Sequence, residues 1–404
     1  MMGDILVINS GSSSLKFGLY GAPGDPSLAS LALRYRGHFA GLGHGQGAAR
    51  LTLVDGQGNS AQAPALQGLP GDLDHHDALQ RLLDWISQAP DLADLSVVGH
   101  RVVHGGRHYQ APVRLDATII DELAGLNSLA PLHQPYCLAP TRRLAERHPT
   151  LAQVACFDTA FHATQPQVAR HYALPRELTE RGLIRYGFHG LSYDYINRVM
   201  PEHLGGHPGG RAIVAHLGNG ASLCAIQDGQ SVASTMGFTA IEGLAMGTRS
   251  GSLDPGLVLH LIRQEGMSAE EVETMLYQRS GLRGVSGISG DMRELLASPA
   301  LEARQAIDLY TYRITREIGS LAAAMGGLDH LIFTAGIGEH AAPVRDAICQ
   351  GCDWLGLSLD PTANQRHATR ISTADSRVGA WVIPTDEERM IAWYSAGMVA
   401  GGRG

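Results

Sequence analysis

Of the 31 basic residues in this 404-residue chain, all but one are arginine, and the exception, Lys16, stands in a stretch of unusual make-up. An apolar run, Ile5 to Ile8, leads into NSGSSSLKF, Asn9 to Phe17. A Gly- and Ser-rich turn exposes backbone N–H groups, Ser12 and Ser14 add hydroxyl donors, and Lys16 adds a point charge, a set suited to a phosphate. It is not a P-loop, because Leu15 precedes the lysine and Phe17 follows it. A plain polar hairpin would leave the serines and the lone lysine unexplained. The same pattern of apolar strand, Gly- and Ser-rich turn and apolar strand returns in AIVAHLGNGASLCAIQDG from Ala212. A third Gly-rich turn, FTAGIGEHAAP, spaces Gly336, Gly338 and Ala341 as G-x-G-x-x-A, the weak form of a dinucleotide fingerprint. A dehydrogenase is therefore the rival enzyme reading, but it leaves the first two turns without a use. The third turn reads instead as backing for a nucleotide base or ribose.

Other polar clusters follow apolar runs, where residues of an α/β sheet project from strand ends: GHRVVHGGRH, APLHQP, FDTAFH, RYGFHG, HLGNGAS and MGTRSGSLDP. Most of the 19 histidines are expected to be hydrogen-bonded structural residues. Cys349 and Cys352 form a lone C-x-x-C at helical spacing with Val344 and Ile348, and without further ligands they read as packing residues.

The elements that must carry these groups alternate between strand and helix. Leu79, Leu82, Leu83 and Ile86 mark an amphipathic helix before a buried strand at Leu95 to Val98. Ile307, Ile314, Ile318, Leu321 and Met325 mark a long helix stopped by Gly326 and Gly327 and followed by a strand at Leu331 to Phe333. The stretch from Gly41 to Asp72 reads as an exposed hairpin or loop. Mixed α/β layers in two domains follow from pattern and length. The echo between the two hairpins suggests duplication, each domain giving one phosphate-holding turn to a shared cleft. A net charge of -8 argues against a nucleic-acid partner, and the apolar runs are too short for a membrane span or a signal peptide. Five cysteines, odd in number, show no secreted framework, so the expected compartment is the cytoplasm.

In order, VINSGSSSLKF, HRVVHGG, FDTAFH, RYGFHG, HLGNGASL, MGTRSG, FTAGIGE and IPTDEE span nearly the whole chain. Together they closely resemble the acetate kinase family of carboxylate kinases, within the superfamily of sugar kinases, Hsp70 and actin. The resemblance implies two duplicated ribonuclease-H-like domains around a central cleft. Residues 1–159 with 386–404 would form the carboxylate and phosphate side, and 160–385 the nucleotide-binding domain. It implies an enzyme moving the γ-phosphoryl group of ATP to acetate, with propionate or another short-chain carboxylate as the alternative acceptor. The non-enzymatic alternative is a divergent nucleotide-binding regulatory copy. It also implies a homodimer and Mg²⁺, with Mn²⁺ as a substitute.

Carried over residue by residue, Arg101 and Arg249 would hold the carboxylate and the transferring phosphoryl group, with His189 donating to the same oxygens and His133 close by. Arginine forks suit a loose phosphoryl transition state. Asp158 and Glu387, with Asn9, would organise Mg²⁺ and its waters. Asn9, Ser12, Ser14 and Lys16, with His216, Asn219 and Gly220, would contact phosphates. Asp291, Met292, Arg293, Ala335, Gly336, Ile337, Gly338, Glu339 and His340 would frame the nucleoside, and Val103, Leu132, Phe188 and Ala240 would wall the acyl group. The chain departs from the family's usual residues at Gln134, Cys137, Tyr193, Ala233, Ala240, Ser252 and His340, where Asn, Asn, His, Asp, Pro, Asp and Asn are common.

Overall fold

In the computed structural model, residues 3–11, 13–21, 27–43, 49–63, 66, 68–88, 94–131, 133–205 and 210–400 are described. The chain divides into two compact units, Met1–Ala160 with Asp386–Gly404, and Phe161–Thr385.

The first unit is built on a sheet of order β4-β3-β2-β1-β5-β7-β6. Its strands are β1 (Asp4–Ser10), β2 (Ser14–Gly21), β3 (Ala32–Ala40), β4 (Arg50–Asp55), β5 (Leu95–Val102), β6 (Val113–Arg114) and β7 (Ala152–Phe157). β1 to β4 form an antiparallel meander, while β5 runs parallel to both β1 and β7. β1 is buried along its whole length, as expected of a strand covered on both faces. One cover is the helix His75–Gln88, which buries Leu79, Leu82, Leu83 and Ile86. Another is the helix Glu387–Ala400, which packs on β1, β5 and β7. Its approach requires a glycine on β5, since a Cβ at Gly99 would lie 2.3 Å from Ser395 Oγ and 2.6 Å from Ile391 Cγ2.

The second unit repeats the pattern with β8 (Arg211–Leu217), β9 (Ala221–Gln227), β10 (Gln230–Ser234), β11 (His330–Thr334) and β12 (Gly379–Val382), in the order β10-β9-β8-β11-β12. An antiparallel β8-β9-β10 meander is followed by β11 parallel to β8 and β12. β1, β2, β3, β5 and β7 therefore correspond in topology to β8, β9, β10, β11 and β12, a duplicated ribonuclease-H-like architecture. The long helix Leu301–Met325 ends as its sequence predicts, with Gly326 in the left-handed region at φ 70°.

Two expectations need correction. Within 41–72, read as an exposed hairpin or loop, β4 pairs with β3 as a hairpin strand, but the stretch is not simply exposed, since it lends Leu53, Ala63 and Leu66 to the core. Gly336 to Glu339 is not a loop either, since Ala335–His340 is a short helix entered through Ala335 at φ 64°.

Candidate active site

In the first unit the two hairpin strands β1 and β2 set Asn9 opposite Lys16. Lys16 thus belongs to strand β2, with its side chain exposed, and not to the turn. The turn itself is closed by Gly11 N donating to the Ser14 carbonyl at 2.8 Å. The His75 ring holds the Gly11 carbonyl through Nε2 at 2.7 Å. Ser12 and Leu132 lie outside the described residues.

Arg101, near the end of β5, meets Asp158, just past the end of β7. Arg101 Nε donates to both carboxylate oxygens at 3.1 Å and Nη2 to Oδ2 at 2.5 Å. Its Nη1 donates to Asn9 Oδ1 at 3.2 Å. Asp158 is 1% exposed, so this fork is a buried, charge-assisted pair. Glu387, at the start of its helix, feels the same charges. Burial pushes its carboxyl up to about 7, with Asp158 and Glu388 adding to the rise and Arg101 and Lys16 opposing it. A buried carboxylate, Asp158, and a half-buried one, Glu387, beside an amide oxygen are a donor set that a hard, partly hydrated cation suits. Among the described residues no group of three or more His, Cys, Asp or Glu converges as a metal site, so such an ion would depend on water and phosphate oxygens for its other ligands. Cys137 lies below, its thiol donating to the Ser10 carbonyl at 3.4 Å and pushed up to about 11 by burial. Gln134 clamps the main chain of His104, accepting from its N–H at 3.0 Å and donating to its carbonyl at 2.9 Å. His133 is the N-cap residue of the helix Gln134–Arg147, and Val103 is buried beside β5.

The second unit gathers a separate cluster around the β8–β9 turn. His189 stands at φ 58°, at the head of the helix Gly190–His203, a left-handed conformation costly for a residue with a Cβ and most often retained at functional sites. Its ring stacks on His216 with centroids 4.2 Å apart and planes at 19°. Two positive rings at that spacing would repel by about 4 kcal/mol at an effective dielectric of about 20. Each ring is fixed through Nδ1, His189 to Ser222 Oγ at 2.8 Å and His216 to Ser192 Oγ at 2.8 Å. A Cβ built on Gly220 would lie 3.3 Å from His189 Nε2 and 3.8 Å from Arg249 Nη1, so histidine, arginine and turn share one small volume. Arg249 Nη1 donates to the Ala240 carbonyl at 3.0 Å. Gly247 N donates to the Asn219 carbonyl at 3.0 Å, and a Cβ on Gly247 would meet Asn219 Oδ1 at 2.2 Å and the Gly290 carbonyl at 3.1 Å. That sequence of contacts brings Asp291, Met292 and Arg293 to the same region. Asp291 caps the helix Met292–Ala297 and holds the exposed Arg293 in a fork. On the other side, a Cβ on Gly218 would lie 3.7 Å from Ala335 Cβ. Glu339 Oε1 accepts from Ala335 N at 2.9 Å and pins the entry to that helix. His340 is exposed.

Phe188 is buried, and its carbonyl accepts from His162, whose other ring nitrogen meets Ser231 Oγ at 2.9 Å. Burial holds His162, like His100 and His104, down near about 4, the structural role expected of most histidines. All five cysteines are buried and none forms a disulfide.

Sequence reasoning missed the groups behind these residues. Ser222 lies within the HLGNGASL motif, and Ser192 follows the RYGFHG motif, but nothing in their spacing shows that they hold the two histidines. Arg345, fully buried, donates to the carbonyls of Gly338 and Glu339, to Asn364 and to His367. Burial lowers it to about 10.

The family model described as the acetokinase family matches residues 4–393. An acetate kinase of Rhodopseudomonas palustris (strain TIE-1) is 50% identical over 402 residues, 99% of each chain. One of Methylocella silvestris is 47% identical, covering 98% of each. Among solved structures, a propionate kinase from Francisella tularensis superposes with a TM-score of 0.89 at 34% identity, over 98% of this chain and 100% of that one. The Porphyromonas gingivalis acetate kinase gives 0.85 at 34% identity with the same coverage. A model match across nearly all of the chain, relatives of half-identical sequence aligned end to end, and this doubled sheet topology place the chain in the acetokinase family, kinases that phosphorylate a carboxylate.

Proposed function

We propose that this chain transfers the γ-phosphoryl group of ATP to acetate, reversibly, giving acetyl phosphate and ADP by direct in-line displacement. What supports this reading is that each unit carries one arginine beside different local partners. Arg101 is locked to a buried carboxylate beside Asn9, and Arg249 stands with His189 at the Asn219–Gly220 turn. Arg249 and His189 would neutralise equatorial oxygens as charge builds on the transferring group, and Arg101 would orient the acceptor carboxylate. Residues 1–159 with 386–404 would supply the acceptor side, and 160–385 the nucleotide side.

Asn9, Asp158 and Glu387 would hold Mg²⁺, which when bound supplies charge neutralisation on phosphate oxygens; Mn²⁺ would serve in its place. Ser14 and Lys16, with Ser12, would contact phosphate. His216 would do the same across the nucleotide turn. Asp291 to Arg293 and Ala335 to His340 would frame adenosine. Val103, Leu132, Phe188 and Ala240 would wall the methyl group, with His133 nearby. The propionate kinase among the structural relatives, and Ala240 where proline is usual, favour some use of propionate. A purely regulatory copy is disfavoured by the presence of both arginines, both carboxylates and His189.

A homodimer is supported by the helix Pro255–Arg263, which buries none of its residues and leaves Leu257, Leu259 and Ile262 exposed. A cytoplasmic location is supported by the absence of disulfides among five cysteines. No described helix is long and apolar enough to cross a membrane. The test is a hydroxamate assay for acyl phosphate with ATP and Mg²⁺ across acetate, propionate and butyrate. Acetate should give the highest kcat/KM, and no acyl phosphate from any of the three would overturn the reading.

A further inference from the structure

The hydroxyl that holds His189 is itself held by a second one. Ser222 Oγ, 2.8 Å from His189 Nδ1, is also 2.5 Å from the hydroxyl of Tyr193, one turn along the helix that His189 begins. Tyr193 and Ser222 are both fully buried. Ser222 has one proton to give and two neighbours. A phenol, with a pKa near 10, is a far stronger acid than an alkyl alcohol, so it is the better donor and serine oxygen the better acceptor. The short contact therefore runs from Tyr193 to Ser222, which leaves the serine proton for His189 Nδ1.

Resting on the kinase reading above, we propose that Tyr193 is a positioning residue which, through Ser222, keeps the proton of His189 on Nε2. That nitrogen is the one beside the Asn219–Gly220 turn and Arg249. With the proton there, a neutral imidazole presents a donor to a phosphoryl oxygen. With the proton on Nδ1, the same ring would present a lone pair to an anion. The phenol supplies a donor of fixed direction. Tyr193 touches no reacting atom in this scheme.

The test uses the full chain labelled with ¹⁵N-histidine, with His189 assigned by comparison with His189→Gln. Long-range ¹H–¹⁵N spectra should show Nε2 protonated and Nδ1 bare in the unmodified protein, and a mixture of tautomers in Tyr193→Phe. In the same variant, kcat for acyl phosphate formation should fall about 10- to 100-fold while KM for ATP and acetate stays within about twofold. Ser222→Ala should behave alike, and Tyr193→Phe added to it should cost less than about twofold more, because the two act in series. A proton on Nδ1 in the unmodified protein, or an unaltered tautomer in Tyr193→Phe, overturns the proposal. The spectra can be read whether or not the protein makes acyl phosphate, so failure of the kinase reading and failure of the relay give different results.

Discussion

Arg101→Ala should unsettle the fold as well as the chemistry. Among the described residues, the hydrogen bonds made to the Asp158 carboxylate come from Arg101, three contacts of 2.5 to 3.1 Å on a residue that is 1% exposed. Removing the arginine strands that charge, and breaking a buried pair from one side costs about 3 to 5 kcal/mol. For a unit of this size, a loss of about 3 kcal/mol lowers Tm by roughly 6 to 12 °C. The stranded charge, not the lost packing, should dominate, so Arg101→Ala with Asp158→Asn should recover most of the loss while remaining inactive. Urea unfolding at pH 8 in EDTA, followed by scanning calorimetry, measures both variants without reference to turnover. Arg249→Ala, bonded in the unmodified protein to the Ala240 carbonyl and the Met246 sulfur, is the contrast. It should lose about 3 kcal/mol of transition-state stabilisation with stability changed by less than about 1 kcal/mol. An Arg101→Ala protein within about 1 kcal/mol of the original, or a double variant no more stable than the single one, would refute the reasoning.

Burial pushes the Glu387 carboxyl up to about 7 from its ordinary 4.5, so the fold binds its proton more tightly than the unfolded chain does. Stability in EDTA should therefore be greatest below about pH 4.5 on this account and fall by up to about 3 kcal/mol as pH rises to about 7, and Glu387→Gln should remove that slope in pH-dependent urea melts. Adding Mg²⁺ should flatten the same slope in the unmodified protein, and an unchanged slope would argue against the proposed cation site. In the acyl pocket, a cleanly buried methylene is worth roughly 0.8 kcal/mol, so Val103→Ala should raise the propionate-to-acetate ratio of kcat/KM about fourfold and Ala240→Pro should lower it. Arg345→Met should release the Gly338 and Glu339 carbonyls and raise the calorimetric Kd for ADP about tenfold with the KM for acetate unmoved.

What could be read in advance was whatever depends on local pattern. The helix carrying Leu79 to Ile86, the strand after it, and the glycine stop at Gly326 each follow from periodicity and backbone freedom, and each is where expected. The duplication was legible because both hairpins keep the same strand–turn–strand composition. β4 was legible only as one arm of a hairpin or as loop, because its Gly-rich flanks suit either and its burial of Leu53 is a tertiary fact. Lys16 was assigned to the turn by sequence proximity, although strand pairing begins at Ser14. Asp158 and Arg101 could be named individually, but their contact depends on β5 and β7 being parallel neighbours, which no local signal records. The Tyr193–Ser222–His189 relay joins a helix to a strand across about thirty positions, and only coordinates reveal such a meeting.

The cover on β1 and β5 comes from a helix made long after them. Residues 161–385 form one unbroken unit that can complete itself while still emerging from the ribosome, but the first unit must wait for Glu387–Ala400. At about 5–20 residues per second, synthesis of residues 161–400 takes roughly 10 to 50 s. For that interval the buried strand β1, with Gly99 on β5 open where Ile391 and Ser395 will dock, is an adhesive apolar surface at the oldest end of the nascent chain. Order of manufacture and order of assembly are thus reversed, and holdase chaperones have a defined client window. The same delay withholds Glu387, so until that residue has been made the chain carries only one of the two carboxylates of the proposed cation site.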